Sequence, residues 1–247
     1  MAAVLLALVA VYLAAILWRG RLFRTSLQRR RTDHGRAASL RIWASSVAIS
    51  FGVPALVGLM FLGQRIAFDT VPAAFLPLVF RLGALGLLVT PEPLVIGMLG
   101  GTIVNVLVCL WFARTGGAQI QIGNFPDVKP AARSDLLPAV LLSISAGVSE
   151  EAFFRLLVPL LIALVSGNAL LGFAVATLLF GAVHRYQGVR GVIATTLVGA
   201  VLGYIYLASG ALWLAMLFHI VIDLNALVVR PVVTGAWRVS SSSASRS

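Results

Sequence analysis

The stretch GVSEEAFFRLLVPLL, residues 147–161, sets two glutamates and an arginine inside an otherwise apolar run. Charge at such a place is tolerable only where the groups are buried against one another or open onto a wet cavity. The composition around it decides which solvent the chain is built for. Of its 247 residues, 60% are apolar and only 11% are charged, and the mean hydropathy is +1.01. An ordinary soluble domain carries about a quarter of its residues as charges. So few polar groups cannot cover a water-facing surface, and the partner this implies is a lipid bilayer. The fold class that follows is an all-α, polytopic transmembrane helical bundle.

Working outward from 147–161, eight apolar runs appear: Ala2–Trp18, 42–62, 71–89, 94–112, 136–165, Ala169–Val183, 192–208 and 212–229. The first is just long enough to span. It lacks the basic start and small-residue cleavage site of a signal peptide, so it reads as an uncleaved anchor. The 71–89 run holds Pro72, Pro77 and a central Arg81, which suits an interfacial or re-entrant segment better than a span.

Net charge is +11, and Lys129 is the only lysine. The basic residues lie between apolar runs, which is the pattern of membrane orientation and not of a nucleic-acid partner. With seven spans and the N-terminus outside, every basic residue except Arg65, Arg81 and Arg155 falls on the cytoplasmic side. An eighth span would move half of the others outward. Seven spans with a cytoplasmic C-terminus therefore satisfy the positive-inside rule best. The arginine-rich 19–41 segment reads as a solvated cytoplasmic loop near anionic headgroups. The arginine- and alanine-rich, lysine-poor composition points to a bacterial plasma membrane.

Three regions follow: N-terminal transmembrane helices over 1–134, a core over 135–229 whose last four helices carry the site, and a disordered tail over 230–247. In the polar 113–135 connection, Ser134 or Asp135 can cap the next helix. Cys109 is the lone cysteine, which rules out an intrachain disulfide and a cysteine metal cluster.

Past residue 135 the embedded ionisable groups are Glu150, Glu151, Arg155, His184, His219 and Asp223. They fall on three helices, and one shared site explains them better than three separate accidents. Glu151 and Arg155 are i and i+4 with the acid first, the favourable order for a neutralising pair. Glu150 lies about 100° round the helix and keeps a free carboxylate. His184 ends its run one turn after Phe180. Asp223 lies one turn after His219 and can hold its imidazole in one tautomer. Carboxylate, imidazole, imidazole and carboxylate together serve two chemistries. A Glu–His pair can deprotonate water while the other groups hold an oxyanion. Alternatively, two histidines and a carboxylate can bind zinc with a position open for water. Both end in acyl-bond hydrolysis, and no HExxH helix is present.

Glu150-Glu151-Ala-Phe-Phe-Arg155, Phe180-Gly-Ala-Val-His184 and His219-Ile-Val-Ile-Asp223, in that order, resemble the EExxxR, FxxxH and HxxxN/D motifs of the CPBP intramembrane proteases. That family includes type II CAAX prenyl endopeptidases and bacterial bacteriocin-related proteins with an abortive-infection-type domain. The resemblance implies an intramembrane endopeptidase, glutamate-type or metal-dependent, acting on a peptide or protein with a membrane-associated segment. It implies that Glu150 and His184 activate the water and that His219 and Asp223 face the oxyanion. Glu151, Arg155 and Phe180 would give structural support. Zinc, if bound, would use Glu150, His184, His219 and Asp223. A non-catalytic immunity or partner-binding protein on the same scaffold is the main alternative, and a proton-relay transporter a lesser one.

Asp223, a variant that the family also shows, stands where the best-known eukaryotic members carry Asn, and an ionised Asp cannot donate to an oxyanion. It must be protonated, act by orienting His219, or ligate a metal, and orientation of His219 is the preferred reading. Asp223→Asn should then retain much of the cleavage activity, measured beside metal content; joint loss of activity and bound metal would indicate ligation.

Overall fold

The computed structural model describes residues 1–64, 68–115, 130 and 132–234, with the backbone alone over 19–34. The described residues form helices joined by turns, without a strand. α1 (Ala2–His34) is followed by α2 (Arg36–Val47), α3 (Val53–Phe61), α4 (Leu76–Ala84) and α5 (Pro91–Thr115). The core then comprises α6 (Leu136–Glu151), α7 (Val158–Ser166), α8 (Ala169–Val183), α9 (Gly188–Ser209), α10 (Leu212–Leu224) and α11 (Arg230–Thr234). The stretches Arg36–Phe61, Pro91–Thr115, Arg185–Ser209 and Leu212–Thr234 are long and apolar enough to cross a membrane. With large apolar side chains such as Ile96, Leu107 and Trp111 exposed on α5, the chain is an integral membrane protein.

The arginine-rich segment corrects the loop expected over 19–41. α1 runs on to His34 before the chain turns at Gly35, whose φ of 80° closes the helix. Residues 21–34 contain neither Gly nor Pro, and Arg, Leu and Gln are good helix formers. Charge was a poor guide here because a helix can be solvated too. The lipid contacts expected of these arginines concern side chains outside the described residues. The 230–247 tail also begins differently: 230–234 is helical and the remainder lies outside the described residues, as does most of the 113–135 connection. Asp135 does not cap α6. Its own backbone is already helical (φ −84°, ψ −15°), and its Oδ2 accepts the N–H of Ala132 at 3.0 Å.

The doubtful 71–89 run forms only the nine-residue α4 and a preceding turn. Nine helical residues rise about 13 Å, less than half the hydrocarbon thickness. α4 has no buried residue, and Phe75 just before it is the anchor, wholly buried against Phe173 and Tyr206. The flanking backbone is stitched over the α9–α10 turn. Trp213 N–H donates to Phe68, Tyr204 Oη to Leu87, and Val89 N–H to Ala208. This strap closes the end of the core away from the α8–α9 turn, where His184 lies.

Three helical stretches widen into π-turns, at Ala48–Gly52, Ala152–Leu157 and Asn225–Val229. Each precedes a proline by two positions: Pro54, Pro159 and Pro231. Proline has no N–H for the carbonyl four residues back, so the ladder slips to longer bonds. At the first, the Ser50 carbonyl that Pro54 cannot serve accepts the Tyr12 hydroxyl at 2.9 Å. The second carries Arg155 directly after Glu151, so the quoted stretch is a bent helix.

Backbones approach closely where small residues face them, as membrane helices commonly do. A Cβ on Gly172 of α8 would lie 2.6 Å from the Pro159 carbonyl oxygen. One on Gly147 of α6 would lie 2.4 Å from Ile220 Cγ1 on α10. Gly172→Ala should therefore cost about 1–3 kcal/mol, read as a lowered unfolding midpoint in detergent. Gly97→Ala, with nothing within 4 Å, should not lower it; equal midpoints for the two variants would contradict the packing.

Candidate active site

The C-terminal end of α6 brings Glu150 and Glu151 to the centre of the core, and the π-turn adds Arg155. His184 terminates α8, while His219 and Asp223 lie one turn apart on α10. The close crossing of α6 and α10 at Gly147 is what lets groups so far apart in sequence meet. Glu150, Glu151, Arg155 and His219 are buried; the side chains of His184 and Asp223 are 12% and 29% exposed. The site therefore opens past His184 and Asp223. All six sequence-predicted residues converge on one place.

Glu151 and Arg155 pair as expected, Oε2 to Nε at 3.0 Å. The carboxylate does more than neutralise, because its Oε1 lies 2.7 Å from Nδ1 of His219. This corrects the reading in which Asp223 fixes that imidazole. Asp223 Oδ2 is 3.8 Å from Nε2, beyond hydrogen-bond reach. The i, i+4 rule sees only groups on one helix, whereas the stronger partner comes from the helix packed across it.

A carboxylate oxygen accepts, so His219 donates from Nδ1 and presents Nε2 to the site. His184 is set the same way: Nδ1 lies 2.7 Å from the Phe180 carbonyl, leaving Nε2 free. Both Nε2 atoms face Glu150 Oε2, at 3.9 Å from His184 and 4.0 Å from His219. That oxygen is buried and has no hydrogen-bond partner among the described residues.

Phe180 is the common surface beneath these groups. The Arg155 guanidinium carbon lies 4.2 Å from its ring centroid, a cation–π arrangement. The His184 and His219 rings are 4.7 and 5.8 Å away. Gly199 on α9 gives the cluster room, since a Cβ there would stand 3.0 Å from Phe180 Cδ1. Its carbonyl also accepts from Arg155 Nη2 at 3.4 Å.

The site has neighbours that motif reasoning passed over. Tyr186, two residues after His184, tilts its ring 5.8 Å from that imidazole and 5.5 Å from Trp43 of α2. Its Oη accepts from Gln187 Nε2 at 3.2 Å. Asn225 bonds Asn105 at 3.1 Å and Thr102 at 3.5 Å, fastening α5 beside the turn that holds Asp223. The signal for Tyr186 lay in the adjacent HRYQ; nothing in the sequence pairs Asn105 with Asn225.

The donor set has the chemistry of a zinc site, with two imidazole nitrogens and carboxylates, but not its spacing. Two ligands about 2.0–2.1 Å from a tetrahedral zinc lie roughly 3.3–3.4 Å apart, less than the 3.8–4.0 Å found here. Among the described residues, no three His, Cys, Asp or Glu side chains form a group that could hold a metal ion. As arranged, the residues do not fit zinc.

Residues 132–225, which contain every group above except Trp43, Thr102 and Asn105, match the family model of the type II CAAX prenyl endopeptidase Rce1-like proteins. Over this segment the chain is similar to the CPBP/CAAX intramembrane proteases. No curated protein and no solved structure matched the chain. The CAAX-protease match covers less than half of the chain and leaves α1–α5 outside it. It supports a peptidase without specifying the chemistry of cleavage.

Removing one member of a buried pair leaves a charge uncompensated, which costs about 3–5 kcal/mol. Glu151→Ala should lower the unfolding midpoint accordingly, while Glu151→Ala/Arg155→Met should recover much of it. Equal loss in both variants would mean that Glu151 acts mainly through His219.

Proposed function

We propose that the chain is an intramembrane endopeptidase that hydrolyses a peptide bond with a water activated by Glu150 and His184. The observation that carries this is the buried, unpartnered Glu150 Oε2 facing two imidazole nitrogens at 3.9 and 4.0 Å. Two acceptors that share one water at about 2.8 Å each stand about 4.5 Å apart, so at 3.9 Å the pair holds a water through bent hydrogen bonds. Such a water would give one hydrogen to Glu150 and the other to His184 Nε2, leaving its lone pair for the carbonyl carbon.

As the oxygen attacks, Glu150 takes the water proton and the carbonyl oxygen becomes an oxyanion. His219, held through Nδ1 by Glu151, donates from Nε2 to that oxyanion when it carries its second proton. Collapse breaks the C–N bond, and the leaving nitrogen takes the proton held by Glu150. The products are a carboxyl terminus and an amine. Asp223, with Oδ2 3.8 Å from His219 Nε2, adds negative charge beside the imidazole without a hydrogen bond to it. Written with Glu150 and His184 as the activating pair, no step draws on a metal.

The substrate is a peptide segment associated with the membrane. It reaches the site past His184 and Asp223, the more exposed members. With seven spans and an outer N-terminus, that opening would face the cytoplasm.

Glu150→Ala and His184→Ala should each lower cleavage by about 10²–10⁴-fold, read by comparing membrane-proteome cleavage products in cells with wild type. Cleavage by purified protein should survive excess chelator. No changed peptide in either variant would defeat the peptidase reading, and chelator loss restored by zinc would replace the water mechanism with a metal one.

A further inference from the structure

We infer that Tyr186 is a second oxyanion donor, its phenol O–H supplying the hydrogen bond that Asp223 cannot. This rests on the peptidase reading above. An oxyanion of acyl hydrolysis is commonly held by more than one donor. Here His219 Nε2 offers one. The residue one turn further along α10 is a carboxylate, which in its ionised form only accepts.

Tyr186 is placed to fill that gap. It sits on the turn Arg185–Gln187 that follows His184, at the open side of the site. Its ring is held between Trp43 and His184, at 5.5 and 5.8 Å. The buried Gln187 donates its side-chain N–H to Tyr186 Oη at 3.2 Å. That bond fills a lone pair of Oη and leaves the phenolic proton without an acceptor among the described residues. The ring is thus held between two aromatic neighbours and the hydroxyl by Gln187, which leaves its proton available to an oxyanion formed beside His184. No covalent step is added: the proton stays on Tyr186 and is shared with the oxyanion until the C–N bond breaks.

Tyr186→Phe keeps the ring and removes only the hydroxyl. The probe is a quenched fluorescent peptide copying a Glu150-dependent cleavage junction from the membrane-proteome comparison. Tyr186→Phe should lower kcat on the order of 10²-fold, leaving KM and the unfolding midpoint near wild type. Adding Asp223→Asn should restore at least part of kcat, because an amide can donate where the carboxylate could not. Wild-type kcat in Tyr186→Phe, a change confined to KM, or no recovery in the double variant would each overturn the assignment. Absence of any Glu150-dependent cleavage by wild type would instead remove the peptidase reading itself.

Discussion

The structure depends on one carboxylate that serves two masters. Glu151 is wholly buried, and its two oxygens are committed to Arg155 and to His219. In a medium of low polarity neither a lone carboxylate nor a lone guanidinium is tolerable. Their pairing lets a charged turn exist at the centre of an apolar bundle. The same carboxylate then reaches across to α10 and fixes the ring that faces the site, so charge neutrality and site geometry are one constraint. Arg155 gains a second support from the Phe180 face, and Phe180 in turn carries both imidazoles. Neutralisation, packing and ring orientation therefore meet within one helical turn.

Glycine and proline place this turn by opposite means. Gly147, Gly172 and Gly199 remove side chains where backbones or rings must come close. Pro159 removes a hydrogen-bond donor, and the ladder before it widens just where Arg155 must turn back toward Glu151. Neither device adds a contact of its own. Both work by deleting an atom that would otherwise dictate a straighter or looser helix.

Much of the site was legible because ionisable groups in lipid are costly enough to betray a shared purpose. Glu150, Glu151, Arg155, His184, His219 and Asp223 stood out against apolar surroundings, and they do converge. Their spacing also reported the Glu151–Arg155 pair. It could not report the Glu151–His219 contact, which joins residues 68 positions apart through a crossing of helices. Apolar runs located α8, and the prolines and Arg81 set 71–89 apart from the spans, since such features are local properties. The helical continuation of α1 through arginines was hidden because charge describes solvent, whereas backbone propensity describes conformation. Asn225 escaped notice because an Asn near a helix end has many uses until its partner is seen.

The arrangement of α5 has a mechanical consequence. Its main contacts are with α10, the π-turn after it and α11, and its apolar sides are otherwise largely exposed. The Asn105–Asn225 and Asn225–Thr102 bonds fasten that seam, and Asn225 lies two residues beyond Asp223. A sideways displacement of α5 in the bilayer would therefore act on the segment that follows Asp223. The lipid-facing helix is thereby tied to the mouth of the site through Asn225 and through its packing on α10 and α11.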